Sequence, residues 1–241
     1  MLENTQTEST NIFDDLAASF YTNFIVDNRW KYLWDGLLTT LEITVLAVII
    51  GIVLGFLVAI IRSTHDQTGK LKIGNAICQV YLTVIRGTPV VVQLLIIYFV
   101  IFTSPSIPKV VSAVVAFGIN SGAYVAEIVR SGIMSVDRGQ MEAGRSLGFN
   151  YVRTMWHIVL PQAFKNVLPA LGNEFIVLLK ETSVSGYIAL QDLTKGGDII
   201  RGRTFDAFMP LIAVALIYLV IVMIMSAGVR WLERRLRSSD H

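Results

Sequence analysis

Cysteine is almost missing from this chain: Cys78 stands alone among 241 residues, which excludes an internal disulfide and a cysteine-built metal centre. Its ordinary role is that of a small apolar side chain on a helix. Charge is scarce as well, at 16% of residues against 54% apolar, a balance outside the range of ordinary soluble domains. The three histidines join no cysteine or carboxylate cluster, and no Ser/His/Asp set points to nucleophilic catalysis. A Gly-x-x-x-x-Gly-Lys-Ser/Thr phosphate loop is absent, so the chain is expected to bind no nucleotide and to catalyse nothing alone. The first thirty residues carry Glu3, Glu8, Asp14 and Asp15, without the basic n-region and apolar core of a signal peptide. Their mixture of Ile12, Phe13, Leu16 and Phe20 with polar residues suits an amphipathic segment lying on a surface.

What the chain has is long apolar runs, and a membrane-spanning helix needs about 20 such residues. Five spans are expected in one domain: about 37–61, 76–102, 109–133, 164–179 and 207–227. Gly51 and Gly55 in the first form a small-xxx-small pair suited to close helix approach. Arg62, His65, Asp66, Lys70 and Lys72 then mark a polar loop. The second span is interrupted at Arg86-Gly87-Thr88-Pro89, where a proline without a backbone donor predicts a kink or unwound turn. The expected organisation is a leader over 1–35, a membrane domain over 36–230 and a basic tail over 231–241.

Orientation follows from Lys and Arg near the span ends. Arg230, Arg234, Arg235 and Arg237 place the C-terminus in the cytoplasm, and five spans then place the acidic N-terminus outside. The stretch after the third span, with Arg130, Arg138, Arg145 and Arg153, falls inside; the mixed segment from Asp192 to Asp206 falls outside. The basic tail is most simply a lipid anchor; nucleic-acid binding is not expected of it.

Within the inner loop, Gln140 to Leu147 reads as a helix stopped at Gly148, and Tyr151 to Ile158 as a second helix ended by Pro161. Together they make a knob showing Leu147, Phe149, Met155 and Trp156 among basic residues, with His157 beside them. An apolar surface rimmed with charge suits protein docking. Glu142 near a helix start also suits the helix dipole.

The knob has a recognisable spacing: Glu142-Ala143-Gly144, then Gly148, then Ile158-Val159-Leu160-Pro161. It resembles the Glu-Ala-Ala loop of permease subunits in binding-protein-dependent ABC importers, with Gly144 in place of the third alanine. That change weakens the helix by about 1 kcal/mol. Arg86 to Leu94, Tyr124 to Arg130, Leu160 to Ala163 and Leu179 to Ser183 are similar to the histidine and glutamine permease group, and the likeness spans about 36–230. It implies an all-α integral membrane protein of the type I ABC importer permease fold, importing a polar amino acid. It implies three partners: a cytosolic ATPase holding the ATP and Mg, a second permease subunit, identical or similar, and an extracytoplasmic solute-binding protein. The loop 137–161 would be the coupling element, with Glu142, Ala143, Gly144, Leu147, Gly148, Ile158 and Pro161 at the ATPase. The host membrane is a cell inner or plasma membrane.

Ionisable groups at membrane depth mark a cavity or a partner. Glu174 lies midway along the fourth span near Pro169 and Gly172, and is expected either on the substrate path, meeting an ammonium group, or paired with another helix. Thr88, Gln93 and Asn120 are further candidate liners. Glu127 and Arg130, three apart on one helix face, suggest either a local ion pair or a substrate contact, and Arg86 a lipid phosphate or an interhelical partner. Lys180-Glu181-Thr182-Ser183 suggests a helix break or gate. Two rivals stand beside the amino-acid permease: a permease of the same architecture for another small solute, and a non-transporting scaffold or signalling subunit.

Overall fold

The computed structural model describes residues 12–237, and every described element is helical. The acidic stretch around Glu3 and Glu8 and the last residues of the basic tail lie outside the described residues. The chain runs through α1 (Ile12–Phe20), α2 (Trp30–Thr68), α3 (Lys72–Gly87), α4 (Val90–Ile96), α5 (Lys109–Met134), α6 (Arg138–Ser146), α7 (Tyr151–Thr154), α8 (Leu160–Glu181), α9 (Leu193–Thr204) and α10 (Phe208–Arg237). Short π or 3-10 segments follow α1, α4, α7 and α8.

The axis of the molecule is the pair α2–α5, and glycine sets its closeness. A Cβ on Gly51 would lie 2.8 Å from Ser121 Oγ, and one on Gly118 would lie 2.8 Å from Ile50 Cβ. Gly55 faces Val125, and Gly122 faces Leu54 and Tyr81 in the same way. Each helix therefore contributes small residues four apart, which lets the backbones touch where lipid supplies no hydrophobic drive. The expected pair Gly51/Gly55 is thus a packing seam, answered by a second pair on α5.

Four apolar clusters include residues of α2, and three of them mark its length. Leu33 packs with Phe24, Leu193, Ile200 and Val214; Ile43 and Ala47 with Leu94, Phe117 and Leu178; and Ala59 with Val129, Ile133, Val159 and Val167. From Leu33 to Ala59 is about 39 Å at 1.5 Å per residue, the depth of a bilayer with its headgroups. α8 travels from the third cluster, at Ala163 and Val167, to the second, at Leu178. α10 leaves Leu216, Leu219, Val220, Met223 and Ile224 exposed, an outward apolar face suited to lipid.

Some sequence expectations hold and others are corrected. Among the described residues, three helices (α2, α5 and α10) are long and apolar enough to cross a membrane, or four with α3 and the segment after it taken as one bent span. The fourth expected span falls in α8, which carries Lys165, Asn166, Asn173, Glu174 and Lys180 and does not reach that apolarity. The kink expected near Pro89 is a bend of 107°. Arg62, His65 and Asp66 are not loop residues but the last turns of α2, which ends at Gly69 in the left-handed conformation. Pro161 does not end the second knob helix: a π turn over Met155–Val159 hands the chain directly to α8, with Pro161 in its first turn. There the missing N–H costs little, and the wider π turn accommodates the ring.

Candidate functional site

At one end of the α2–α5 axis sits the knob. Asp137 Oδ1 accepts from Gly139 N at 2.6 Å to start α6, and Asn150 Oδ1 accepts from Arg153 N at 2.9 Å to start α7. Between them Gly148 adopts φ +85°. Phe149 N donates to Gly144 O at 3.1 Å and Gly148 N to Arg145 O at 2.9 Å, the paired bonds that close a helix on a left-handed glycine. Leu147 (75% exposed), Trp156 (64%) and Phe149 (39%) stand out from the surface, with Glu142, Ala143 and Gly148 exposed around them.

Two of the expected knob residues belong inside it. Met155 is buried among Ile133, Val159 and Ala163 rather than displayed, because it shares the inward face with Tyr151 and Val159, four residues to either side. Gly144 is buried, and a Cβ there would lie 2.5 Å from Thr154 Cγ2 and 2.9 Å from Ile158 Cδ1. The glycine at the motif's third position is therefore what lets α6 lie against the second helix. Ile158 supports the knob from beneath, and Pro161 is exposed. A cleft of about 480 Å³ flanks the knob, reaching Asp66, Arg138, Glu142 and Arg145.

Deeper in the bundle, three candidate path residues converge. Gln93 Nε2 donates to Ile85 O at 2.7 Å, to Thr88 O at 3.1 Å and to Thr88 Oγ1 at 2.9 Å. Asn120 Nδ2 donates to Gln93 Oε1 at 3.2 Å. Gln93 thus satisfies carbonyls at the end of α3 that no helical N–H reaches, and ties the 107° bend to α5. Asn120 Oδ1 is buried without a hydrogen-bond partner among the described residues.

The fourth candidate, Glu174, is one residue step away: Ser121 Oγ donates to Glu174 Oε1 at 2.9 Å across α5 and α8. Ser121 carried no signal in the sequence beyond its small size. The helix break expected after Lys180 is present, since α8 tightens into a 3-10 segment at Thr182; Thr182 Oγ1 donates to Leu179 O at 2.8 Å.

Glu127 and Arg130 do not pair with each other. Glu127 accepts from Arg62 at 2.9 Å with Arg86 at 3.9 Å, and Arg130 binds Asp66 through Nε at 3.2 Å and Nη2 at 2.9 Å. The ladder links α2 to α5, because Arg62 and Asp66 are four apart on one helix and face Glu127 and Arg130 on the other. Arg86 also lies 5.6 Å from the centroid of the Tyr124 ring. Spacing along a single helix could not reveal partners that come from its neighbour.

At the opposite end, Asp192 starts α9, accepting from Lys195 N at 2.8 Å. It is fully buried, its Oδ2 lacks a hydrogen-bond partner among the described residues, and burial pushes its carboxyl up to about 6. Asp206 shows the reverse: hydrogen bonds from Ser19 Oγ and Asn23 Nδ2, each 2.7 Å, hold its carboxyl below the usual range and tie the N-terminal helix to the start of α10.

A long-axis helical bundle with an apolar outer face, polar side chains linked between its helices and a capped knob at one end defines a membrane-embedded transport subunit. Comparison with known proteins agrees. This chain belongs to the binding-protein-dependent transport system inner membrane components, whose family model matches residues 51–238. It is 38% identical over 218 residues to the glutamine transport system permease protein GlnP of Escherichia coli K12, covering 86% of this chain and 97% of that protein. It is 39% identical over 211 residues to the arginine transport system permease protein ArtQ of Bacillus subtilis, covering 87% and 94%. Among solved structures, an amino acid ABC transporter with histidines is similar at a TM-score of 0.80 and 42% identity, covering 91% of this chain and 97% of that one. The inward-facing MetNI methionine ABC transporter matches at 0.73 and 19% identity over 86% and 97%, a likeness of fold, that of the type I importer permeases.

Proposed function

We propose that this permease imports a polar amino acid through an assembly with a cytosolic ATPase, a second permease subunit and an extracytoplasmic solute-binding protein. The knob carries the proposal: an apolar trio of Leu147, Phe149 and Trp156 on a rigid, doubly capped support suits insertion into a groove of the ATPase. Glu142, Ala143 and Gly148 line the same contact, while Gly144 and Ile158 hold its shape. The knob end then faces the cytoplasm, which the arginines of α6, α7 and α10 favour, and α1 and α9 face outside. ATP and Mg remain with the partner subunit. The amino-acid assignment is supported by the glutamine and arginine permeases among the relatives.

The path for substrate runs beside Glu174, where a carboxylate on a membrane helix suits the ammonium of an α-amino acid. Thr88, Gln93 and Asn120 shape this path through the bend that they hold, rather than by offering free donors.

The test is ATP hydrolysis by the reconstituted complex with its binding protein, over a panel of amino acids. Stimulation by a polar or basic amino acid supports the proposal; an intact complex stimulated by none removes the substrate class. The combined variant Glu142→Lys with Gly148→Ile should abolish stimulated hydrolysis while the permease still inserts, and normal uptake by it would remove the knob from the coupling role.

A further inference from the structure

α3 carries a second feature, outside the Gln93 brace and the Ser121–Glu174 contact. A cleft of about 480 Å³ opens between α2, α3 and α5, lined by Arg62, Gln79, Thr83, Arg86 and Glu127 among others. Its charges do not cancel. Arg62 and Arg86 both address the same oxygen, Glu127 Oε1, at 2.9 Å and 3.9 Å, so two guanidinium groups share one carboxylate. Arg86 is beyond hydrogen-bond reach of it, and its side chain is 45% exposed. Arg62 Nε is buried without a hydrogen-bond partner among the described residues. Gln79 and Thr83, both exposed, add polar side chains at the cleft wall.

The polar cleft continues into an apolar one. Through Gln79 and Thr83 it joins a groove of about 400 Å³ floored by Ala76, Val80 and Val84, on the same stripe as Ile77. Ile77, Val80 and Val84 are 65%, 64% and 53% exposed. A net-positive pocket that donates hydrogen bonds, joined to an apolar channel, matches one kind of molecule: an anion with a hydrocarbon tail. Basic pockets between membrane helices take anionic lipid headgroups in this way, and fork-shaped guanidinium donors fit phosphate oxygens.

We infer that this cleft is a binding site for an anionic phospholipid, its phosphate held by Arg86 and Arg62 and one acyl chain lying along Val80 and Val84. A soluble anion would leave the apolar groove empty, and a second permease copy covering the stripe would leave the excess positive charge without a counter-ion. The inference requires only that the chain sits in a bilayer, whichever way it faces.

Native mass spectrometry of the permease–ATPase complex, released from micelles with equal phosphatidylglycerol and phosphatidylcholine, tests it. Phosphatidylglycerol should be retained several-fold over phosphatidylcholine. Arg86→Gln should erase the preference and Arg86→Lys keep part of it; if Arg86→Gln does not assemble, Thr83→Glu, which places a carboxylate in the cleft, should erase it instead. Equal retention of the two lipids, or preference unchanged in the variants that assemble, overturns the inference. So does displacement of the lipid by inorganic phosphate at constant ionic strength, which would mark a free-anion site. Displacement by an amino acid would mark a substrate exit and overturns it too. Cross-linking of two permease copies through Val80→Cys in a Cys78→Ala background would make the stripe a subunit interface, with the same result.

Discussion

Asn120 Nδ2 donates to Gln93 Oε1 at 3.2 Å, and the same Gln93 amide donates to Ile85 O at 2.7 Å, so one side chain ties α5 to the end of α3 across a 107° bend. The neighbouring residue Ser121 reaches Glu174 on α8. The bend, the central helix and the intramembrane carboxylate are therefore linked within two consecutive residues of α5.

Replacing Gln93 by leucine should loosen the bend. The Ile85 and Thr88 carbonyls and the Asn120 amide lose their partner in a buried setting, a cost of about 1–3 kcal/mol for a stranded polar group. The complex should melt at a lower temperature and turn over more slowly, whichever amino acid is supplied. A change in KM alone, with unchanged melting, would instead make Gln93 a substrate contact.

Glu174→Gln keeps an acceptor for Ser121 Oγ while removing the charge. Assembly and melting should be nearly unchanged, and transport should fall at least tenfold through KM, with a larger loss for a cationic amino acid than for a neutral one. Transport at the parental rate would reduce Glu174 to a structural partner of Ser121.

A side chain at Gly55 has no room: a valine there would place Cβ about 2.5 Å from Val125 Cβ and 2.9 Å from Ala126 N. Gly55→Val should destabilise the fold by roughly 1–3 kcal/mol or more, read as lost folded yield and faster proteolysis. Gly228→Ala, with nothing within 4 Å of the added carbon, should behave as the parent. Equal yields of the two would remove the close seam between α2 and α5.

The Asp192 carboxyl, pushed up to about 6 by burial from its usual 3.8, binds a proton more tightly folded than unfolded. Stability should therefore fall as pH rises from about 4 to about 6, and this group should contribute no further slope above that. Asp198, held low chiefly by Lys195, and Asp206, held low chiefly by Ser19, titrate below this window. Asp192→Asn keeps the helix-starting acceptor without the titration. The stability of this variant relative to the parent should rise across the window by an amount on the order of 1–3 kcal/mol, read as melting temperature against pH. Parallel curves would show that Asp192 does not titrate there.

Much of the molecule is legible in its sequence. Long apolar runs announce membrane helices because the bilayer tolerates little else, and α5 starts and ends within a residue of expectation. Glycines four apart announced the seam on α2 because only small side chains permit that approach. The stop of the first knob helix was legible from Gly148, because a left-handed turn restricts residue choice locally. Those are short-range requirements, and a linear sequence records them.

Partnership was not recorded in that way. Whether Glu127 meets Arg130 three residues on or Arg62 sixty-five residues back depends on how α2 and α5 cross. Met155 faces inward with Tyr151 and Val159 because that side of the knob packs on α5, and Pro161 opens α8 instead of ending the knob helix. Glu174 stood out by its charge, but its partner Ser121 and the Gln93 brace exist only once α3, α5 and α8 are packed. Local chemistry chose the helices and their ends; contacts between helices distant in sequence decided which polar groups meet, because in an apolar surround each must find its partner on another segment.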